Sequence, residues 1–175
     1  MSINAQCSNG PSFYVFDPDD VGVEDPIPTI ELMKFPYPDD MLDDPDVANN
    51  YYSRADQENA GIVFPSGTRS VLFWSKHGYG TPTYKVDDGC GGEGGEGAAP
   101  YRYQITAFDA TQLYEVKLGI RASTACTPYA WWTVPGISDT CAKFAYSGLV
   151  YDPATRRIYA CVDYAEDPHV DVWEV

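Results

Sequence analysis

Basic residues are scarce in this chain: 11 lysines and arginines stand against 26 aspartates and glutamates over 175 residues, a formal charge of −15 at pH 7. A surface of that sign repels phosphate backbones and anionic bilayers, so nucleic acid is not an expected partner. Histidine is nearly absent, with two residues, which leaves acid–base chemistry near neutral pH few groups to draw on. No apolar run approaches the length that crosses a bilayer, and no membrane insertion is expected. The opening Met1 to Gln6 lacks a basic stretch followed by an apolar core, so no secretory leader is read there. The five cysteines are Cys7, Cys90, Cys126, Cys141 and Cys161. No two have the C-x-x-C spacing of a zinc ribbon or a thioredoxin-like motif, and an odd number cannot all pair within one chain.

Apolar and aromatic residues, by contrast, are plentiful at 44% and 14%, enough for the packed core of a single domain over residues 1–175. Their arrangement repeats. Gly61-Ile62-Val63-Phe64 and Thr68-Arg69-Ser70-Val71 return as Gly148-Leu149-Val150-Tyr151 and Thr155-Arg156-Arg157-Ile158, a constant offset of 87 residues. Such an echo is the mark of a duplicated supersecondary unit. Val15-Phe16-Asp17 and Ala107-Phe108-Asp109 form a second echo, each ending a strand-like run before a helix-start signal.

Nine short runs rich in β-branched and aromatic residues, bounded by Gly, Pro and Asp, read as strands: 13–16, 29–35, 61–64, 70–76, 102–108, 129–134, 147–151, 157–163 and 170–175. Ser70-Val71-Leu72-Phe73-Trp74 is apolar throughout, the pattern of a strand covered on both faces, whereas Tyr103, Ile105 and Ala107 alternate with Arg102, Gln104 and Thr106 as in a sheet with one buried face. One helix is signalled by Asp109 as cap, Gln112 as a capping-box-like partner, Leu113 and Val116 on one face and Gly119 as a left-handed stop. Asp17 followed by Pro18 is a shorter helix start. The fold class is therefore all-β, mainly antiparallel sheets with one short helix. Grouped on the repeat, the strands form partial β-propeller-like blades: a partial blade at 13–35, a full blade at 61–134 with a loop insertion at 77–99, and a partial blade at 147–175. A compact β-sandwich or barrel is the alternative. A chain that starts and stops inside a blade leaves a sheet edge open, which suits a homo-oligomer.

Candidate chemistry is sparse. His77 ends an apolar strand beside Gly78-Tyr79-Gly80 and is the one candidate catalytic residue, as the base of a hydrolase working with a carboxylate; His169 sits in a turn after Pro168. Ser75 or Ser147 completes a Ser-His-Asp set only on paper, since no Gly-x-Ser-x-Gly elbow is present. Gly89 to Gly97 lacks the Gly-Lys-Ser/Thr ending of a phosphate loop and carries two glutamates, so it reads as a surface loop, as does 39–58. No cofactor is expected. Calcium is the cation that Asp17, Asp19 and Asp20 would suit, although they lack the spacing of a helix-loop-helix calcium loop. A bridge between Cys126 and Cys141 would close a loop near 15 residues, contributing about 3 kcal/mol, and Cys161 reads as a buried thiol. Tyr51, Tyr52, Tyr79, Tyr84 and Tyr101 lie in or beside the two long loops and supply stacking area with a polar tip, suited to a protein or carbohydrate partner. Trp131 and Trp132 read as core filler between sheets.

The segments Phe64 to Trp74, His77-Gly78-Tyr79-Gly80, Pro100 to Ile105, Pro128-Tyr129-Ala130-Trp131 and Tyr151 to Ile158, in that order, resemble the C-terminal part of a family of uncharacterised bacterial secreted or envelope proteins that are β-propeller-like. The resemblance implies that fold and an extracytoplasmic setting, and brings no activity with it. Family members are about twice as long and carry a cysteine just after the His-Gly-x-Gly segment, where this chain has Thr81 to Tyr84, which implies that Cys90 has lost its partner.

Overall fold

The computed structural model describes residues 11–34, 57–80, 83–84, 90, 96–97, 99–134, 141, 145–163 and 168–175, and each of the nine runs overlaps a strand, with bounds that differ by a few residues. In chain order these are β1 (Pro11–Phe16), β2 (Thr29–Lys34), β3 (Gln57–Val63), β4 (Ser70–Gly78), β7 (Tyr101–Asp109), β8 (Ala130–Thr133), β9 (Ala145–Asp152), β10 (Arg157–Asp163) and β11 (His169–Glu174). Two short strands, β5 (Thr83–Tyr84) and β6 (Glu96–Gly97), pair with each other inside the 77–99 insertion. The larger ladders run β1–β2, β3–β4–β7–β8 and β9–β10–β11, every pairing antiparallel. The fold is all-β, with one α-helix among the described residues, α1 (Ala110–Lys117). The expected loop at 39–58 lies outside the described residues except for its last two, which begin β3.

The four-stranded sheet is the middle layer, because its strands are apolar on both sides. From β4, Leu72 and Trp74 point into one core with Tyr101, Tyr103 and Ala107 of β7 and Tyr146, Ile158, Ala160 and Val162 of the β9–β11 sheet. Val71 and Phe73 point the other way, into a second core with Phe108, Phe13, Leu32 and Met33, and with Leu113 and Val116 of α1. Phe73 meets both Phe13 and Phe108 edge-on, at centroid distances of 5.4 and 5.3 Å, while Trp74, Tyr146 and Trp173 pack as a triad. Such rings add packing specificity to the area they bury.

Strand β7 departs from the one-sided burial that its alternation predicts. Gln104 and Thr106, on the polar side, are as buried as Tyr103 and Ala107. The reason is mutual satisfaction: Arg102 Nε donates to Gln104 Oε1 at 3.0 Å and Gln104 Nε2 donates to Thr106 Oγ1 at 3.2 Å, so polar groups enter the interior already hydrogen-bonded.

The echoed segments form two hairpins in the same register. Gly61 faces Trp74 and Val63 faces Leu72 in one; Gly148 faces Cys161 and Val150 faces Tyr159 in the other, each pair shifted by the same 87 residues. In the turns, Thr68 Oγ1 donates to the Pro65 carbonyl and Thr155 Oγ1, its counterpart, donates to the Asp152 carboxylate.

Helix α1 starts as expected, with Asp109 accepting from the Thr111 amide at 2.8 Å. Its end is a full Schellman closure, in which Gly119 at φ 71° donates to Val116 and Ile120 donates to Glu115. The capping box does not form: Gln112 Oε1 is buried without a hydrogen-bond partner, since Asp109 is also the last residue of β7, held opposite Ser70 in the sheet. Three contacts then bind this region together. Arg121 pairs with Glu115 at 2.7 Å, Ser123 Oγ donates to Glu31 of β2, and the Cys126 thiol points at the Leu32 carbonyl.

Cysteine pairing corrects the expectation from spacing. Cys90 bonds to Cys141, with Cα atoms 5.1 Å apart, and Cys126 is a free thiol buried in the second core. Cys90 therefore has a partner within this chain, and 51 residues separate the two. Cys161 is exposed rather than buried, because Ile158, Ala160 and Val162 take the core side of β10 and leave Cys161 on the outer face.

Candidate functional site

The residues with chemical potential gather at one end of the central sheet. Direct register places His77 opposite Arg102, Ser75 opposite Gln104, Gln104 opposite Thr133 and Thr106 opposite Trp131. Paired residues in adjacent strands share a face, so β4, β7 and β8 bring His77, Ser75, Arg102, Gln104, Thr106 and Trp131 onto one side of the sheet. This polar row continues the face whose other end carries Val71, Phe73 and Phe108.

Arg102 is the centre of the row. Its guanidinium lies 4.2 Å from the Trp131 ring centroid and 5.1 Å from that of Tyr79, a cation held between two aromatic rings while its Nε serves Gln104. Tyr79 is anchored by its amide, which donates to the Pro100 carbonyl, and its ring is 41% exposed. On the far side of the same edge strand Trp132 is 50% exposed, and Tyr129 is exposed with its hydroxyl 2.6 Å from Ser70 Oγ. Trp131 and Trp132 thus flank the edge of the sheet instead of filling its core. Among the described strands β8 pairs with β7 alone.

The sequence candidates fare differently. His77 is fully buried, 0% exposed, in the body of the sheet, Ser75 is buried on the same strand, and Ser147 belongs to the separate β9–β11 sheet, so neither serine meets His77 at the surface. Tyr101 is a core residue, with the Lys76 ammonium 4.4 Å above its ring, and is not presented by a loop. Tyr84 lies on β5; Tyr51 and Tyr52 lie outside the described residues. Asp17 spends its carboxylate on the amide of Asp19, capping the 3-10 turn Pro18–Asp20. Among the described residues no group of three or more His, Cys, Asp or Glu side chains is arranged to hold a metal ion.

One polar cluster had no sequence signal. Tyr146 donates to Asp171 at 2.8 Å across the β9–β11 sheet, and His169 Nε2 lies 3.5 Å from the same carboxylate. Burial, and then the Asp171 carboxylate beside it, push the Tyr146 phenol well above its ordinary value, so this tyrosine acts as a fixed donor and not as a base. Arg102 and Gln104 were hidden for another reason, since their alternation with apolar residues is that of a solvated face. No family model, curated protein or solved structure matches this chain.

Proposed function

We propose that this chain is a non-enzymatic, propeller-like interaction module that presents an aromatic sheet edge to a carbohydrate or protein partner. The observation that carries the proposal is the clamp of Arg102 between Tyr79 and Trp131, beside an edge strand that also exposes Trp132. Rings fixed by packing supply stacking area at little entropic cost, and the flat faces of sugar rings are suited to them, which favours a carbohydrate. Stacked sheets of two, four and three strands, and two hairpins in one register, support a propeller-like arrangement of duplicated units. The Cys90–Cys141 bridge is of a kind that persists in oxidising compartments, in keeping with an extracytoplasmic setting. A hydrolase would need His77 to meet its substrate, and full burial gives that no support.

Affinity electrophoresis against a panel of soluble polysaccharides tests the proposal. Retardation by at least one glycan that falls about tenfold in Trp132→Ala and Tyr79→Ala, and is unchanged in His77→Ala, is the expected result. Retardation that both aromatic variants leave intact would remove this edge as the recognition surface.

A further inference from the structure

The two echoed hairpins differ in what lies against them. Along β3 and β4, Gly61, Val63, Leu72 and Trp74 share a face, and the last three are buried in one core with Leu149, Tyr151, Ile158 and Ala160 of the β9–β11 sheet. Gly61 is the notch in that face: with no side chain of its own, it lets Leu149 approach until a Cβ would stand 3.0 Å away. Glycine inside a strand weakens it, and a close approach of this kind is what it permits. Moved on by 87 residues, the same face consists of Gly148, Val150, Tyr159 and Cys161. There it is open: Val150 is 66% exposed, Cys161 is exposed, and a Cβ on Gly148 would meet nothing within 4 Å.

Strand β11 extends this face with an inverted alternation. His169 and Asp171 take its core side, opposite Val162 and Ala160, while Val170 and Val172 stand beside Cys161 and Tyr159 on the outer side, 52% and 50% exposed. A sheet with water on one face sets its polar residues there, and β11 does the reverse over 169–172. The ladder is regular across this patch, since the one register shift between β9 and β10 falls beyond Cys161. Contiguous apolar residues turned outward in this way mark a face that another protein surface covers.

We infer that the outer face of the β9–β11 sheet is a self-association surface, on which a second copy of the chain packs the same face about a two-fold axis. The patch is complementary to itself, because the Gly148 notch lies beside the projecting Val150, and a valine of the mate fills it as Leu149 fills the notch at Gly61. Leu149 and Ile158, which cover the first hairpin, are already engaged there, so the outer valines are left to supply the mate's side chains. At one end of the patch Asp152, Arg157 and Glu174 stand in register. A two-fold mate whose strands run antiparallel sets its own row at the opposite end, so these charges do not confront their copies. The charge of −15 on each copy and the small size of the patch make the dimer weak, with a Kd of about 0.1 mM. The dilute chain is accordingly a monomer with its notch empty.

Sedimentation equilibrium of the full chain from about 0.02 to 1 mM tests this. The mean mass rises toward twice that of the chain, and rises further in about 0.5 M salt, which screens the net charge and leaves apolar contact intact. Over the same range alkylation of Cys161, read on its own peptide by mass spectrometry, slows about threefold as the face is covered. Gly148→Leu fills the notch from an open position and Val172→Lys sets a charge within the patch; each raises the Kd about tenfold. Cys161→Ser leaves association in place, since no bond between thiols is invoked, and so does Trp132→Ala, since the aromatic edge belongs to another sheet. A mass that stays at the monomer over the whole range overturns the proposal. Association that Gly148→Leu and Val172→Lys both leave unchanged overturns it as well, and so does association that Cys161→Ser or Trp132→Ala abolishes, which would attribute the dimer to a thiol bond or to the aromatic edge.

Discussion

Gly61 and Gly148 occupy the same place in the echoed sequence and opposite situations in the fold. A Cβ built on Gly61 would lie 3.0 Å from the Cβ of Leu149 and 3.2 Å from its Cγ, because β3 passes directly against β9. At Gly148 the same atom meets nothing within 4 Å. Neither residue has a positive φ, so contact alone separates them. Gly61→Ala should therefore destabilise the chain by about 1 kcal/mol through overpacking, while Gly148→Ala should stabilise it by about 0.5 kcal/mol by restricting the unfolded chain. Urea denaturation of the two variants checks the pair. Equal shifts of the same sign would mean that β3 and β9 do not approach as closely as described.

At the scale of elements, two turns of the backbone depend on an ionised carboxylate. The Thr111 amide, and after it the Thr111 hydroxyl and Arg69, hold Asp109 below its ordinary value of 3.8. The Thr155 hydroxyl, then the Ala154 amide, do the same for Asp152 in the β9–β10 turn. A carboxylate depressed in the folded state contributes stability that is fully present above its unfolded value and is lost as pH falls through the folded one. Acid should accordingly loosen α1 and the β9–β10 hairpin as pH drops below about 4. Asp109→Asn keeps a side-chain acceptor at the cap but cannot titrate, so its melting midpoint should fall less steeply than that of the wild type between neutral pH and pH 3. Parallel acid profiles for the two proteins would contradict the assignment. These elements were legible in the sequence because their causes are local: the Asp109 cap, the Gly119 stop and the strand runs each act within a few residues. The burial of Gln104 and Thr106 was not, since the apolar end of their face packs against Phe13 and Leu32 of β1 and β2, far away in the chain. The aromatic clamp was legible only in its parts, because the pairing that sets Trp131 beside Arg102 and Tyr79 joins separate segments.

For the whole molecule, the disulfide is the long-range constraint that spacing could not disclose. Proximity in sequence pointed to Cys126 and Cys141, but the second core claims Cys126, packed with Leu32, Leu113 and Val116, and Cys141 reaches back to Cys90 in the 77–99 insertion. The bond therefore ties the insertion in the middle sheet to the segment that leads from β8 into β9. Closing 51 residues removes conformational freedom from the unfolded chain and stabilises the folded state by about 4 kcal/mol on the chain-entropy account. Cys141→Ser should lower the unfolding free energy by about that amount. It should also steepen the dependence on urea slightly, because the freed unfolded chain expands and exposes more surface. Cys126→Ser, which touches no bridge, should instead show the smaller cost of placing a hydroxyl in an apolar site and leave the urea slope unchanged. If Cys126→Ser instead matched Cys141→Ser in both its cost and its urea slope, the bridge would join Cys126 to Cys141, and the insertion would no longer be tied to the β8–β9 connection.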